Sequence, residues 1–437
     1  MKRLVWTILI LLLPVSSAVE CGEHLSQSVV LDADLECETM NGLVIYEADN
    51  VLVDCAGHAI TSLGAEDPYE SRGIWLFHSQ NVTVENCTFD AWGRAIHFVD
   101  WPIRGRLEPF SANTTLINNV IRNSKSVDIE SRSHGNISII NNTMIGHPTN
   151  FGIFLHQATG ILIEDNTFIT ATTPTIRFYY NQEPTNDTIR IINNTFNITN
   201  GGEFIDLDGA SGAVIAYNTK VDEGESIGFG YSPYSLFIVN RFVLFGATEV
   251  HNSAFSEFFL NRIYSRSNIM NKVSSPSCLL HDNEFGRISP DSCTGLRFSD
   301  SSNSLWQNNI TNYSYPVDVS RKNLFFRNNF YPVLGGRLVD NGDSQTETVS
   351  DWNLSTEGNY HSNFDEPSEG CNDTNGDGQC DIPLRIFDVY SQHHGAYDYH
   401  PYVRPNGWLE RPPSGSPLFR KVIQHFQLAC REPPCSD

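Results

Sequence analysis

One asparagine recurs along this chain at nearly constant intervals. It stands at Asn119, Asn142, Asn166, Asn194, Asn218, Asn240, Asn261, Asn283, Asn308 and Asn328, with gaps of 23, 24, 28, 24, 22, 21, 22, 25 and 20 residues. The flanking segments share a frame: Ile139–Met144 reads IINNTM, Ile163–Phe168 IEDNTF, Ile191–Phe196 IINNTF and Ile215–Lys220 IAYNTK. The frame continues more loosely through Phe237–Phe242, Phe258–Ile263, Leu280–Phe285, Leu305–Ile310 and Phe325–Phe330. A period of this length, rich in β-branched residues and turn formers, matches one coil of a β-solenoid. Each strand would pair with its counterpart one coil on, about 4.8 Å away. An asparagine buried at one corner can bond to the asparagines above and below, satisfying polar groups where a hydrophobe would not. A leucine-rich horseshoe would need leucines at fixed places and a helix in every repeat, and neither is present. The expected fold is therefore all-β, a single-stranded right-handed parallel β-helix of about 11–13 coils.

This pattern resembles the parallel β-helix repeat proteins, including those with a NosD-like β-helix domain. The segment Gly42–Ile60 (GLVIYEADNVLVDCAGHAI) looks like the first coil of that group. The resemblance extends roughly from residue 21 to 403 and implies a fold more than an activity, because many activities share it. It also implies a link with copper delivery in the periplasm. Copper prefers clustered His, Cys or Met, whereas this chain has four Met and a single adjacent histidine pair, His393 and His394.

Residues 1–18 read as a secretory signal: Lys2 and Arg3, an apolar run from Leu4 to Leu13, then Pro14 and the small residues Ser16, Ser17 and Ala18. The run is short for a bilayer span, and no later stretch of 18 apolar residues exists, so no transmembrane segment is expected in the mature chain. The formal charge of −23 argues against nucleic acid, since phosphate binding needs clustered Lys and Arg. A secreted, cell-surface or periplasmic location agrees with ten cysteines in close pairs: Cys21/Cys37, Cys55/Cys87, Cys278/Cys293, Cys371/Cys380 and Cys430/Cys435. Twelve N-x-S/T sequons, among them Asn81, Asn113, Asn186 and Asn353, would permit glycosylation on exposed turns.

Residues Cys371–Asp381 read CNDTNGDGQCD. Asp373, Asn375, Asp377 and Asp381 carry side-chain oxygens at alternating positions, Gln379 offers its carbonyl, and Gly376 and Gly378 allow the turn. Such spacing suits Ca²⁺, although Leu384 replaces the terminal Glu of an EF-hand. A structural Ca²⁺ is expected in loop 371–388, with Asp388, Asp365 or water completing the shell. The alternative is an acidic turn clamped by a Cys371–Cys380 bridge.

The activity of a solenoid resides on its surface. Period-2 alternation puts Ile74/Leu76, Ile96/Phe98, Val127/Ile129, Ile153/Leu155, Ile176/Phe178, Ile205/Leu207 and Ile227/Phe229 inside. The intervening residues should form an outward ladder: Trp75/Phe77, His97/Val99, Asp128/Glu130, Phe154/His156, Arg177/Tyr179, Asp206/Asp208, Gly228/Gly230 and Glu249/His251. Carboxylates beside aromatics suit a sugar-binding groove, with Trp75, Phe77, His97 and Phe154 contacting substrate. Asp206 and Asp208 lie about 6.6 Å apart at the backbone, within reach of paired-carboxylate chemistry. Asp128 and Glu130 form a second pair. Arg177 would neutralise a uronate, and Tyr179 or His156 would move its α-proton. The expected partner is polysaccharide or cell-envelope glycan, bound or modified by lyase, hydrolase or epimerase chemistry. A purely structural envelope role is the other reading, in which Arg177 pairs with Asp206 and Glu130 with His156.

The β-helix is expected over 19–403, with insertions at 101–112 and 181–188. Residues 404–437 read as a Pro/Gly-rich linker and an amphipathic helix carrying Phe419, Val422, Ile423 and Phe426 on one face.

Overall fold

The computed structural model describes residues 19–64, 69–99, 112–132, 134–146, 151–170, 175–179, 189–198, 203–224, 226–244, 246, 248–288, 294–299, 302–319, 322–333, 350–354, 356–386 and 396–410. Three parallel sheets run the length of the molecule. The first holds thirteen strands from Glu23–Leu25 to Tyr315–Val319, and the second thirteen from Val29–Val30 to Leu324–Phe326. The third runs from Leu35–Cys37 to Asn329–Pro332 and gains Tyr360–His361 as its fourteenth. Each coil visits the three sheets in turn, so the chain is an all-β parallel solenoid.

The sharp corner between the second and third sheets explains the repeat. Asn118, Asn141, Asp165 and Asn193 sit there with φ of 57°, 51°, 56° and 54°. Asn and Asp tolerate this left-handed conformation better than other side chains. The next residue is the recurring asparagine, fully buried. Asn166 donates its backbone N–H and its Nδ2 to Oδ1 of Asn194, at 2.9 and 3.0 Å. Asn194 repeats this to Asn218, at 3.0 Å for both bonds, and its Nδ2 also donates to the carbonyls of Ile163 and Ile192 at 2.9 Å. The ladder extends one rung beyond the expected set. Asn328 donates to Asn359, which donates its N–H and Nδ2 to Oδ2 of Asp398 at 2.8 and 3.2 Å. A fully buried carboxylate, also 2.9 Å from Nε2 of His361, thus receives the last rung of donors.

Inside, Ile74, Ile96, Ile129, Ile153, Ile176, Ile205 and Ile227 stack in register. Phe168 lies on Phe196 with centroids 4.9 Å apart. Each such side chain contributes roughly 1.5–3 kcal/mol by burial. The disulfide Cys21–Cys37 closes the first coil, and Cys55–Cys87 joins neighbouring coils across a Cα–Cα distance of 4.7 Å. At the far end Trp352 stacks on Phe325 at 4.4 Å, and an antiparallel ribbon of Leu384–Ile386 and Ala396–Asp398 follows. This cap covers the edge that the last coil would otherwise leave open. Cys371–Cys380 is a third bridge. Cys293, Cys430, Cys435, the signal segment, most of both insertions and the expected C-terminal helix lie outside the described residues.

One coil departs from the expected register. Ile129 and Ser131, not Val127 and Ile129, stand beside Ile96 and Phe98. The outward pair there is Glu130 and Arg132, and Asp128 does not belong to the ladder. Simple alternation fails because Arg94 pairs with Val127 at the start of these strands, where two successive residues, such as Gly73 and Ile74, are both buried. Asp128 is tucked under the corner, 2% exposed, and its Oδ1 has no hydrogen-bond partner. Burial pushes its carboxyl up to about 7, opposed by a hydrogen bond from Ser124.

Two outcomes are expected. Asn194→Ala removes three donations and strands the donors of Asn166, so urea unfolding should show a loss of about 3 kcal/mol or more. A loss under about 1 kcal/mol would show that the ladder is not the main polar support of the corner. Asp128 is raised in the folded state, so its ionisation opposes folding: stability declines as pH rises from the ordinary carboxylate range towards 7. Asp128→Asn should therefore match the parent near pH 4 and exceed it at pH 8 in thermal melts. A difference independent of pH would contradict the raised carboxyl.

Candidate functional site

The outward face of the first sheet carries two rows in register. One runs Val44, Trp75, His97, Glu130, Phe154, Arg177, Asp206, Gly228, Glu249. The other runs Tyr46, Phe77, then Val99, Arg132, His156, Tyr179, Asp208, Gly230, His251. The expected ladder is thus present apart from its Asp128 position. Its members divide into three chemically different zones.

At the N-terminal end lies an aromatic platform. Phe77 stacks between Tyr46 and His78, with centroids at 5.4 and 3.9 Å. Trp75 leans on Phe77 at 6.1 Å, and the Arg72 guanidinium lies 5.1 Å from its ring. His24 and Val44 complete a shallow apolar recess with Tyr46, Trp75 and Phe77.

The middle zone is an ion cluster. Glu130 is 2% exposed and pairs with Arg94 and, at 2.7 Å, with Arg132. Arg94 also reaches Glu70 at 3.0 Å. Arg72 Nε donates to Nδ1 of His97 at 2.9 Å, which requires a lone pair on that nitrogen. His97 is accordingly neutral: burial and then Arg72, Arg94 and Arg132 push it down to about 2. Glu130 is held by Arg94 and Arg132 rather than by His156. His156 instead stacks on Tyr179 at 5.7 Å, and burial followed by Arg132 lowers its pKa.

The third zone is an acidic trough. Gly228 and Gly230 leave the sheet bare, and neighbouring groups occupy the space. The Glu203 carboxylate lies 2.8–3.0 Å from where a Cβ on Gly228 would stand, and His251 Nε2 and Asp208 Oδ1 lie 2.9 and 3.3 Å from that point on Gly230. Any side chain there would collide with them. Arg177 Nε pairs with Asp206 Oδ2 at 3.2 Å. Burial, then Asp206 and Glu249, push Glu203 up to about 7 against the pull of Arg177. Burial raises Asp206 as well; Arg177 opposes and Asp208 adds.

Sequence reading missed Glu203, because alternation was counted from Ile205 and this residue precedes the strand. The signal available was its place two residues before an inward isoleucine and beside Gly201 and Gly202. Arg72, Arg94 and Arg132 were missed for a related reason: the strand starts break strict period 2.

The terminal loop folds on itself. Asp373 accepts backbone N–H bonds from Asp377 and Gly378 at 3.0 and 2.9 Å, and Asn375 accepts one from Asp377 at 2.8 Å. Asp377 accepts from the Gln379 N–H at 2.9 Å, and Asp381 accepts from Thr374 N–H and Oγ1 at 2.8 and 2.6 Å. Among the described residues no group of three or more His, Cys, Asp or Glu is placed to hold a metal ion. Asp388, His393 and His394 lie outside the described residues.

A family model described as periplasmic copper-binding protein (NosD) matches residues 17–227, just under half of the chain. No curated protein matches. Among matching solved structures is a DFA-IIIase from Arthrobacter chlorophenolicus without its lid: 13% identity, TM-score 0.38, 75% of this chain and 85% of that one covered. Another is the catalytic domain of a GH87 alpha-1,3-glucanase in complex with tetrasaccharides: 13% identity, TM-score 0.21, 77% of this chain and 57% of that one covered. The chain is thus an all-β parallel solenoid whose residues 17–227 are similar to the NosD family.

Proposed function

We propose that this protein works outside the cytoplasm and binds glycan along the outward face of its first sheet, with acid–base chemistry at the Glu203/Asp206/Asp208 trough. One observation carries the reading. Glu203, with a pKa near neutrality, faces further carboxyl groups across a strip of sheet that has no side chains. A protonated and an ionised carboxyl at one trough supply the two roles of glycosidic hydrolysis: one protonates the departing oxygen while the other activates water or attacks the sugar. Sugar hydroxyls donate to carboxylates, and the aromatic platform offers ring faces for stacking. Hydrolysis is favoured over lyase or epimerase chemistry because Arg177, the group expected to neutralise a uronate, is already paired with Asp206. Three disulfides support an extracellular or periplasmic location, and no helix of the described residues is long and apolar enough to cross a membrane.

We further propose that the Asp373–Asp381 loop takes a structural Ca²⁺, with Asp373, Asn375, Asp377, the Gln379 carbonyl and Asp381 as donors. Thr374 would have to release Asp381. The loop lies against the solenoid cap, where Gln379 Nε2 donates to the Thr356 carbonyl at 2.8 Å, so binding would firm that end.

Incubation with neutral and uronic polysaccharides, followed by reducing ends and by unsaturated-product absorbance, tests the activity. Glu203→Gln should lower turnover by about 10²–10⁴-fold and spare binding, because the amide keeps the shape and loses the proton. Glycan retained without product from any substrate would make the face a binder, and neither binding nor product would overturn the reading. For the loop, millimolar Ca²⁺ should raise the melting temperature by several degrees over EDTA, and Asp377→Ala should abolish the difference. Identical melts with and without Ca²⁺ would leave the loop clamped by its disulfide alone.

A further inference from the structure

In the described coils the turn between the first and second sheets takes positive φ at one or two positions. The second is occupied by Asn50, Asn81, Asn113 and Asn136 in the early coils, with φ of 59°, 53°, 58° and 51°, and by Gly160 and Gly212 later. Each position is defined by the same hydrogen bond: Asn50 N–H to the residue before Asn81, Asn81 to the residue before Asn113, Gly212 to the residue before Tyr234. Asn side chains in this row bond to one another, as Asn81 Nδ2 does to Asn50 Oδ1 at 3.2 Å. This is ordinary turn chemistry.

Four described coils depart from Asn and Gly here: two carry the small Ser277 and Ser302, with φ of 60° and 66°, and two carry aromatic rings. Tyr234 and Phe255 take the same position with φ of 59° and 60°, and Tyr231 takes the first position with φ of 49°. Bulky residues also take positive φ at the corner before the asparagine ladder, as Tyr217, Val239 and Leu260 do with φ of 58°, 51° and 55°, so what sets these three rings apart is their exposure and their place beside the trough. Burial does not explain them, for Tyr231, Tyr234 and Phe255 are 59%, 61% and 55% exposed. Tyr234 and Phe255 stack at 5.3 Å with planes 9° apart. One face of Tyr234 is thereby covered. On its other side the preceding coil has Gly212, with nothing within 4 Å of where a Cβ would stand. Tyr231 directly follows Gly230 of the trough, and its ring meets His251 edge-on at 6.4 Å. Tyr231 thus stands at the edge of the trough, and Tyr234 follows it in the same turn.

We infer that Tyr231, Tyr234 and Phe255 form a stacking shelf for a neutral sugar unit of the glycan that enters the trough. This rests on the glycan reading above and narrows it. The charge of the trough selects against a uronate: Glu203, Asp206, Asp208 and Glu249 face a single described guanidinium, Arg177. An added carboxylate would meet repulsion, whereas hydroxyls find acceptors and a ring finds the tyrosine face.

The experiment is calorimetric titration of the full mature chain with gluco-, manno- and xylo-oligosaccharides and with galacturonate and mannuronate oligomers. Tyr234→Asn and Phe255→Asn install the residue that earlier coils carry at this turn, so folding is retained. Both variants should bind the preferred neutral oligosaccharide roughly tenfold more weakly, while melting temperature is unchanged or raised because the left-handed strain is relieved. A residue kept only for structure would instead lower the melting temperature. Unaltered affinity in both variants, or tighter binding of uronates than of neutral oligomers, would overturn the shelf. If Asp206→Asn weakens binding and the shelf variants do not, the glycan reading stands without the shelf. If no oligosaccharide binds the parent protein, both fall together.

Discussion

Parallel, in-register stacking of coils is the interaction on which the rest of this molecule depends. It brings identical backbone positions within one strand spacing of each other along the whole axis. A choice at a corner is then met again one coil on, favourable or not. A polar group at a buried corner is tolerable only if its neighbours above and below complete its hydrogen bonds, and an asparagine amide, with donors on one side and an acceptor on the other, does so. The ladder from Asn119 to Asn359 is this solution. Its donors all point the same way, so the end of the stack needs an acceptor without a donor requirement, and the Asp398 carboxylate supplies it.

The same stacking writes the surface. Outward residues that are far apart in sequence become contiguous stripes, and a stripe can change chemistry along its length. Here it passes from aromatic rings at Trp75 and Phe77, through an arginine–glutamate cluster around Glu130, to the carboxyl-rich trough at Gly228 and Gly230. In the middle zone Glu70 and Glu130 are paired with arginines, and burial together with those arginines keeps His97 neutral. The trough is not compensated in this way. Its carboxyl groups outnumber the described guanidinium groups, and burial and neighbouring carboxylates raise the proton affinity of Glu203 and Asp206. The contrast between a satisfied cluster and an unsatisfied one separates structure from chemistry on this face.

Much of the fold was legible because the determinants are local and repeated. Asn-Asn-Thr at a corner and alternating isoleucines each declare their own conformation, and three of the cysteine pairs close over short spans. The limits of that legibility have one cause. Alternation holds within a strand and fails where strands begin, since the corner lets two successive residues face the core. Asp128 was placed two positions off for that reason, and Glu203, lying before its strand, was not counted at all.

The sequence by itself determined that this chain coils, where each coil turns, and which residues line the interior, because period and turn chemistry depend only on near neighbours. The Arg177–Asp206 pair was legible from register, but tertiary structure alone decided the other meetings. That Glu130 answers to Arg94 and Arg132 and not to His156, that Glu203 fills the space over Gly228, and that Tyr234 stacks on Phe255 beside an open glycine all follow from inter-coil register. Register is a property of how whole coils superpose, with insertions of unequal length between them, and no single repeat carries it.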